Sequence, residues 1–597
     1  MPDEESQWKK FVRIKSPSVK HVRVRARKIE GATFRHAHRF IISRFANLRD
    51  VRRHAFGWLI LAGLLVLATG VQLLWVQRSL SSQQPVAGGV YAEGVIGRID
   101  TLNPVYAMTQ SERSASHLIF SGLFRYDASN NLAGDLGETW RQSEDGRVYT
   151  VSLRKDAQWH DGEKVTADDV VYTLGLIKNP QTRSYLYRTW QDVSVKAVDR
   201  YTLEFTLPSA YAPFPHALTF GVLPKHLLGK VSPLRLREHT FNREPIGSGP
   251  FRFTNTRAIN PDMERAVIQL ERNDNYYRGP VKLERFQIYT YKDHDDLRQG
   301  FLSREINAAS ELTSEDIDMI IEEQPTTVVG DARLNDGVYA FFQTDQPVVK
   351  DVAIRKALLL ATDRTALRGA LGGKSSSLHG PLLVEQTASA HGKKQAAYDA
   401  VAAGRMLDEA GWSLEGNIRQ KDGQKLQLNV VAPDVGDFPV VLKEIVKQWR
   451  ALGVDVKDQV VPTATFEQNV LASRAYDVLL YELALGADPD VFAYWHSSQS
   501  SVRGFNLSNY RSDIADDALM SARGKSDLQL RDAKYSGFID QWLTDTPAIA
   551  LYQPHLRYVT TDGVRSVHGS ASVVDALGRY HTIDQWTVLQ AERNKTP

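Results

Sequence analysis

Between residues 132 and 174 the chain reads LAGDLGETWRQSEDGRVYTVSLRKDAQWHDGEKVTADDVVYTL, a passage that leaves few choices for local structure. Glu144-Asp145-Gly146 is a turn signal, and after it Tyr149, Val151 and Leu153 alternate with Val148, Thr150 and Ser152. Alternation at period two predicts a half-buried strand returning from a hairpin. Asp161-Gly162 makes a second turn. Thr166 then caps a helix whose third residue, Asp169, reaches back to the cap, and Ala167, Val170, Val171 and Leu174 form its buried stripe. His160 beside Asp161 has the chemistry of a metal or acid–base pair, but with no third ligand at suitable spacing turn chemistry is the better account.

The same passage resembles the large extracytoplasmic solute-binding proteins of the dipeptide, oligopeptide and nickel ABC importers. The resemblance rests on Leu136, Glu138, Trp140, Asp145-Gly146, Leu153-Arg154-Lys155, Trp159-His160-Asp161-Gly162 and Thr166-Ala167-Asp168-Asp169-Val170, in that order. It continues through Leu102-Asn103-Pro104, Gly122-Leu123-Phe124, Leu223-Pro224-Lys225-His226, Pro245-Ile246-Gly247-Ser248-Gly249-Pro250-Phe251, the run from Val352 to Leu367, and Ala410-Gly411-Trp412. It covers about residues 90 to 590. The glycines of 245–251 lead into a strand rather than a helix, so they read as tight backbone packing and not as a phosphate loop. Gly372-Gly373-Lys374-Ser375 has Arg368 where a phosphate loop needs its earlier glycine.

The fold the resemblance implies is α/β, two lobes of the periplasmic-binding-protein type joined at a hinge. Residues 90–328 form the first part of lobe I, 329–549 form lobe II, and 550–597 return to lobe I. The alternation of strand (426–431), helix (440–452) and strand (453–461) suits an α/β domain. A chain of 597 residues is too long for one core.

Upstream, Ala55–Val76 is 22 residues without a formal charge. As a helix it is long enough to cross about 30 Å of hydrocarbon. Trp58 and Trp75 stand near its ends; Arg49, Arg52 and Arg53 precede it and only Arg78 follows closely. By the positive-inside rule residues 1–54 form a basic cytoplasmic tail, 55–76 a single transmembrane helix, and 77–89 a linker to the extracytoplasmic part. The tail holds fifteen Lys and Arg against five Asp and Glu, so the +3 of the whole chain conceals an acidic remainder. Phe34, Ala37, Ile41, Phe45 and Leu48 fall at helical spacing among arginines, as a basic amphipathic helix on the inner leaflet would require; the alternative is that these arginines only fix topology. Further upstream, FVRIKSPSVKHVRVRARKIE (residues 11–30) is a basic polar tract that lacks the aromatic interleaving of base stacking, and no nucleic-acid partner is expected.

There are no cysteines, which removes disulfides and thiolate chemistry. With no G-x-S-x-G and no H-E-x-x-H, the chain is expected not to be an enzyme and to need no cofactor.

Tyr476 to Ser500 ends a strand and opens an aromatic, polar loop, the position where α/β clefts collect ligands. Asp488-Pro489-Asp490, Tyr494 and Ser497, then Asn506 and Tyr510, resemble the cleft segment of the family. The resemblance and this placement nominate Asn103, Tyr106, Trp159, Tyr481, Glu482, Asp488, Tyr494, Trp495 and Asn506 as ligand contacts. Peptide-binding relatives carry an acid shortly before the Asp-Pro pair for the ligand's amino end; here Leu483 to Ala487 contain none, and Glu482 is the nearest carboxylate. The resemblance implies capture of a peptide or similar small solute in a closing cleft and delivery to an ABC permease driven by a separate ATPase. A membrane-tethered sensor or scaffold is the alternative, favoured by the length of the tail.

Overall fold

The computed structural model describes residues 48–260, 265–372, 374–566 and 572–594. Side chains are described over residues 56–72 and, within these ranges, from residue 86 to 589. The chain divides into two units, Met1–Gln84 with Glu592–Pro597, and Pro85–Ala591. In the first, a continuous helix runs Leu48–Leu80. Its side chains from Phe56 to Leu67 include nine large apolar groups that are exposed. Among the described residues no helix is long and apolar enough to cross a membrane. The expected span, 55–76, runs past the side chains described, and the expected amphipathic helix of the tail lies outside the described residues. Residues 77–89, expected as linker, hold the end of this helix and the strand Ser81–Val86.

The second unit is organised by one long mixed sheet. At one end lie Phe251–Asn260, Arg265–Arg272, Arg285–Tyr291, Val90–Ile96 and Ala308–Ser310; at the other lie Asp336–Phe342, Val478–Ala484, Gln427–Asp434 and Asp455–Pro462. The strand Ala548–Thr560 joins the two ends. Its first half pairs with Asp336–Phe342 and its second half with Ala308–Ser310 and Val328–Leu334. The chain crosses once more at Asn335, between Val328–Leu334 and Asp336–Phe342. These two crossings divide the sheet into two ends, and we call the parts of the second unit built on the first and the second of them lobe I and lobe II.

Lobe II is layered helix–sheet–helix. Val338, Ala340 and Phe342 point into a core with Ile445 and Trp449 of the helix Phe438–Ala451, while Tyr339 and Phe341 point into a second core with Phe538 and Trp542. A strand buried on both faces reads as an unbroken apolar run, as VYAFF does. Lobe I adds a four-stranded antiparallel sheet in the order Gly137–Gln142, Val148–Leu153, Thr202–Thr206, Ser194–Asp199. Its first two strands belong to the 132–174 passage. Tyr149, Val151 and Leu153 are buried and Ser152 is exposed, with Gly146 at φ 71° in the turn. Asp169 Oδ2 accepts the Thr166 N–H at 2.8 Å, closing the cap of the helix Ala167–Ile177.

His117-Leu118-Ile119-Phe120 followed by Gly122 reads in sequence as a helix closing on a glycine, but the helix Gln110–Ile119 ends at an extended Phe120, and a Cβ on Gly122 would lie 2.8 Å from the Thr219 carbonyl oxygen. Gly122 serves close approach, which in sequence looks the same as a helix stop.

Candidate functional site

Strands Asp336–Phe342 and Val478–Ala484 run antiparallel with Val338 opposite Glu482 and Asp336 opposite Ala484. Asp336 and Glu482 are therefore diagonal neighbours on one face of the sheet. Their carboxyl groups are hydrogen-bonded to each other. Burial raises the pKa of both, Asp336 the more strongly, because two carboxylates in contact cannot both ionise cheaply out of water. Neither carboxyl forms an ion pair with a base among the described residues.

Lobe I supplies the facing wall. The charges of Asp575 and Arg113 act on Asp336, and those two are themselves ion-paired at 3.2 Å. Behind Arg113, on the same helix, His117 is held neutral: burial lowers its pKa to about 4, as it does for His581. The Tyr126 hydroxyl lies 2.9 Å from His216 Nδ1, and His216 Nε2 is 3.9 Å from Asp488 of lobe II. Arg113, His117, Tyr126, Asp575 and His581 line a cavity of ≈ 280 Å³ in lobe I, together with Arg125 and Arg278. A second cavity of ≈ 450 Å³ opens between Trp190, Tyr211 and Phe214 of lobe I and Met520 and Arg523 of lobe II.

The lobes touch around Arg523. Its carbonyl accepts the Ala212 N–H at 2.8 Å, and its guanidinium lies between the rings of Tyr211 and Phe492. Asp490 holds Arg523 Nε at 3.0 Å.

The residues nominated from the sequence scatter. Glu482, Tyr481 and Tyr494 are partly exposed on lobe II; Tyr494 donates to the Ala484 carbonyl at 2.7 Å, and Tyr481 stacks on Phe466. Asp488 is engaged by Arg531 at 2.9 and 2.6 Å, so its charge is matched within the protein. Asn103 and Asn506 are fully buried and tie down turns: Asn103 Oδ1 accepts the Val105 N–H, and Asn506 Oδ1 accepts the Tyr510 N–H. Trp159 and Trp495 sit in the cores of lobe I and lobe II. Tyr106 is buried under Arg237, 4.6 Å from its ring centroid. The structure thus brings Glu482, Tyr481 and Tyr494 to one region and puts Asn103, Trp159, Trp495 and Asn506 inside.

Asp336, Arg113, His117, Tyr126 and Asp575 were not singled out in the sequence. Asp336 precedes an apolar strand by one residue and reads as a turn residue; only the pairing with a strand about 140 residues later shows its neighbour. His160, by contrast, has no spare valence. Its Nδ1 accepts the Gly247 N–H at 3.2 Å and its Nε2 lies 3.1 Å from the Gly249 carbonyl, so the ring is neutral with the proton on Nε2. Burial lowers its pKa to about 4. A Cβ on Gly247 would overlap the Ile119 carbonyl, the tight packing expected of that loop. Among the described residues no group of three or more His, Asp or Glu side chains is placed to hold a metal ion.

The family model "Bacterial extracellular solute-binding proteins, family 5 Middle" matches residues 131–504. The oligopeptide-binding protein AppA of Bacillus subtilis is 28% identical over 492 residues, covering 80% of this chain and 88% of the relative. The nickel-binding periplasmic protein of Escherichia coli is 25% identical over 375 residues, 60% of this chain and 68% of its own. Among solved structures, AppA of B. subtilis in complex with a nonapeptide aligns with TM-score 0.66 at 25% identity, covering 85% of this chain and all of that one. NikZ of Campylobacter jejuni in complex with Ni(L-His) aligns with TM-score 0.69 at 26% identity, over 83% and 99%. The chain belongs to family 5 of the bacterial extracellular solute-binding proteins, of the peptide and nickel ABC-importer type, and is a binding protein, not an enzyme.

Proposed function

We propose that the protein captures a peptide, or a small solute carrying a peptide-like amino group, between its lobes and delivers it to an ABC permease and its ATPase. The observation that carries this reading is the Asp336–Glu482 pair, two half-buried carboxyl groups in contact that form no ion pair with a base among the described residues. A buried acid without a base is costly unless a ligand brings the cation. That AppA of B. subtilis was solved with a nonapeptide supports the peptide class. Closure would pivot on the two sheet crossings, excluding water so that few hydrogen bonds fix the solute.

The proposal includes a membrane anchor at residues 55–76, with the N-terminus cytoplasmic and the binding unit outside. What supports it is the uncharged 22-residue run, the arginines before it, and the exposure of the apolar helix side chains. Native mass spectrometry of the full chain in detergent, followed by denaturation and identification of what is released, tests the capture. Co-purified peptides are expected; an empty protein with no thermal shift from peptide pools would overturn it. The sensor or scaffold reading is favoured by one feature, the basic tail of 54 residues, longer than a topology signal needs. Deletion of residues 1–40 without loss of uptake would count against it.

A further inference from the structure

The cavity in lobe I differs in charge from the acid pair across the cleft. Three arginines line it, Arg113, Arg125 and Arg278, against two aspartates, Asp135 and Asp575. Its two histidines are neutral, so one positive charge is in excess. Arg113 is spoken for by Asp575. Asp135 accepts from the Tyr277 hydroxyl at 2.6 Å, and burial raises its pKa even though Arg278 and Arg125 pull the other way.

Arg125 and Arg278 are the groups left over. Arg125 gives one N–H to the Tyr126 carbonyl at 3.2 Å, and its Nε is buried with no hydrogen-bond partner. Arg278 reaches only the Tyr276 hydroxyl, at 3.4 Å. Neither guanidinium is ion-paired among the described residues. A guanidinium presents five donors in a fixed fork that matches a carboxylate, and a buried donor without an acceptor is expensive. Two such forks beside one small cavity are a receptor for an anion. The single excess charge fits a monoanion, a carboxylate, better than a dianionic phosphate.

We propose that the lobe I cavity is an anion subsite that receives a carboxylate of the captured solute on Arg125 and Arg278. The proposal rests on the capture function above and adds a second anchoring point to it. The solute is then gripped by opposite charges on opposite lobes, its cation against Asp336 and Glu482 and its carboxylate against the arginines. Each lobe alone holds half of the ligand's charge, so a zwitterion rewards closure more than a ligand with one charged end.

The test uses the full chain in detergent, two matched libraries of di- to pentapeptides, one with free C-terminal carboxylates and one C-terminally amidated, and sodium propionate as a probe independent of peptides. Retention of free-acid peptides about tenfold or more over the amides, with the preference lost in Arg278→Gln, is the expected result. Arg125→Gln serves as the second variant should Arg278→Gln not fold by circular dichroism. Equal retention of both libraries overturns the subsite and leaves peptide capture standing, as does a free-acid preference that both variants keep. Retention of neither library sinks peptide capture instead. Propionate then decides the subsite: thermal stabilisation that the arginine variants abolish upholds it, and no stabilisation overturns it.

Discussion

The Arg523 guanidinium of lobe II lies over the Tyr211 ring of lobe I, 4.7 Å from its centroid, and Phe492 covers its other side at 4.2 Å. One arginine thereby links both lobes at the mouth of the cleft, and Asp490 fixes its direction. Such a contact is worth about 0.5–2 kcal/mol depending on desolvation. Arg523→Ala is expected to shift the unliganded protein towards a more open form, seen as a larger radius of gyration in small-angle scattering, and to weaken solute binding. Tyr211→Phe, which keeps the ring, should stay near wild type. An unchanged radius in Arg523→Ala would mean that closure is held elsewhere.

The Asp488–Arg531 pair separates a structural from a ligand-binding role for Asp488. Both side chains are nearly buried, 12% and 8% exposed. Removing one partner leaves an uncompensated charge, so Asp488→Ala should cost about 3–5 kcal/mol in denaturant unfolding. Asp488→Ala combined with Arg531→Met should recover much of that loss. A variant that folds with wild-type stability but binds solute poorly would return Asp488 to the ligand.

Asp336 and Glu482 set a pH dependence with a definite sign. A carboxyl whose folded pKa lies above its unfolded value binds its proton more tightly when folded, so the stability it lends is present at low pH. That stability is lost as pH rises from the ordinary carboxyl range through the raised folded values. Asp336→Asn is expected to flatten this part of the stability profile. A cationic solute needs the pair deprotonated, so its affinity should rise with pH over the same window, and isothermal titration at several pH values reads it. Affinity that falls with pH there would exclude the pair as the cation site.

His160 and Gly247 make a prediction about the 132–174 unit. Gly247→Ala pushes a methyl group into the Ile119 carbonyl and displaces the loop that holds His160. A loss of about 1–3 kcal/mol is expected from such overpacking. The unit should then melt at lower temperature in a thermal scan followed by tryptophan fluorescence, since Trp159 lies beside it in the lobe I core.

What could be read in the sequence was local. Tyr149, Val151 and Leu153 alternate within six residues, and Thr166 caps Asp169 three residues away, so the pattern and the contact occupy the same short window. Asp351 likewise caps Val352–Leu360 by accepting the Ala353 N–H at 2.8 Å, a contact two residues away. The site is different because it is assembled from partners far apart. Glu482 could be picked out as the nearest acid to Asp488-Pro489, but Asp336 acquires meaning only from strand register. Asn103, Trp159, Trp495 and Asn506 have the chemistry of ligand contacts; side-chain type does not reveal whether a residue faces a cleft or a core.

The two crossings between the lobes have a genetic consequence. Lobe II enters just after Asn335 and leaves along Ala548–Thr560, where Val338 pairs with Tyr552, so the inserted segment begins and ends on neighbouring strands. A segment whose ends lie side by side can be exchanged as a cassette while the host closes over the same gap. The acid pair travels with that cassette and the arginines of the opposite wall stay with the host. Recombination at these two points would therefore reshuffle the two ends of a ligand independently, pairing a new cation pocket with an old anion pocket in one step.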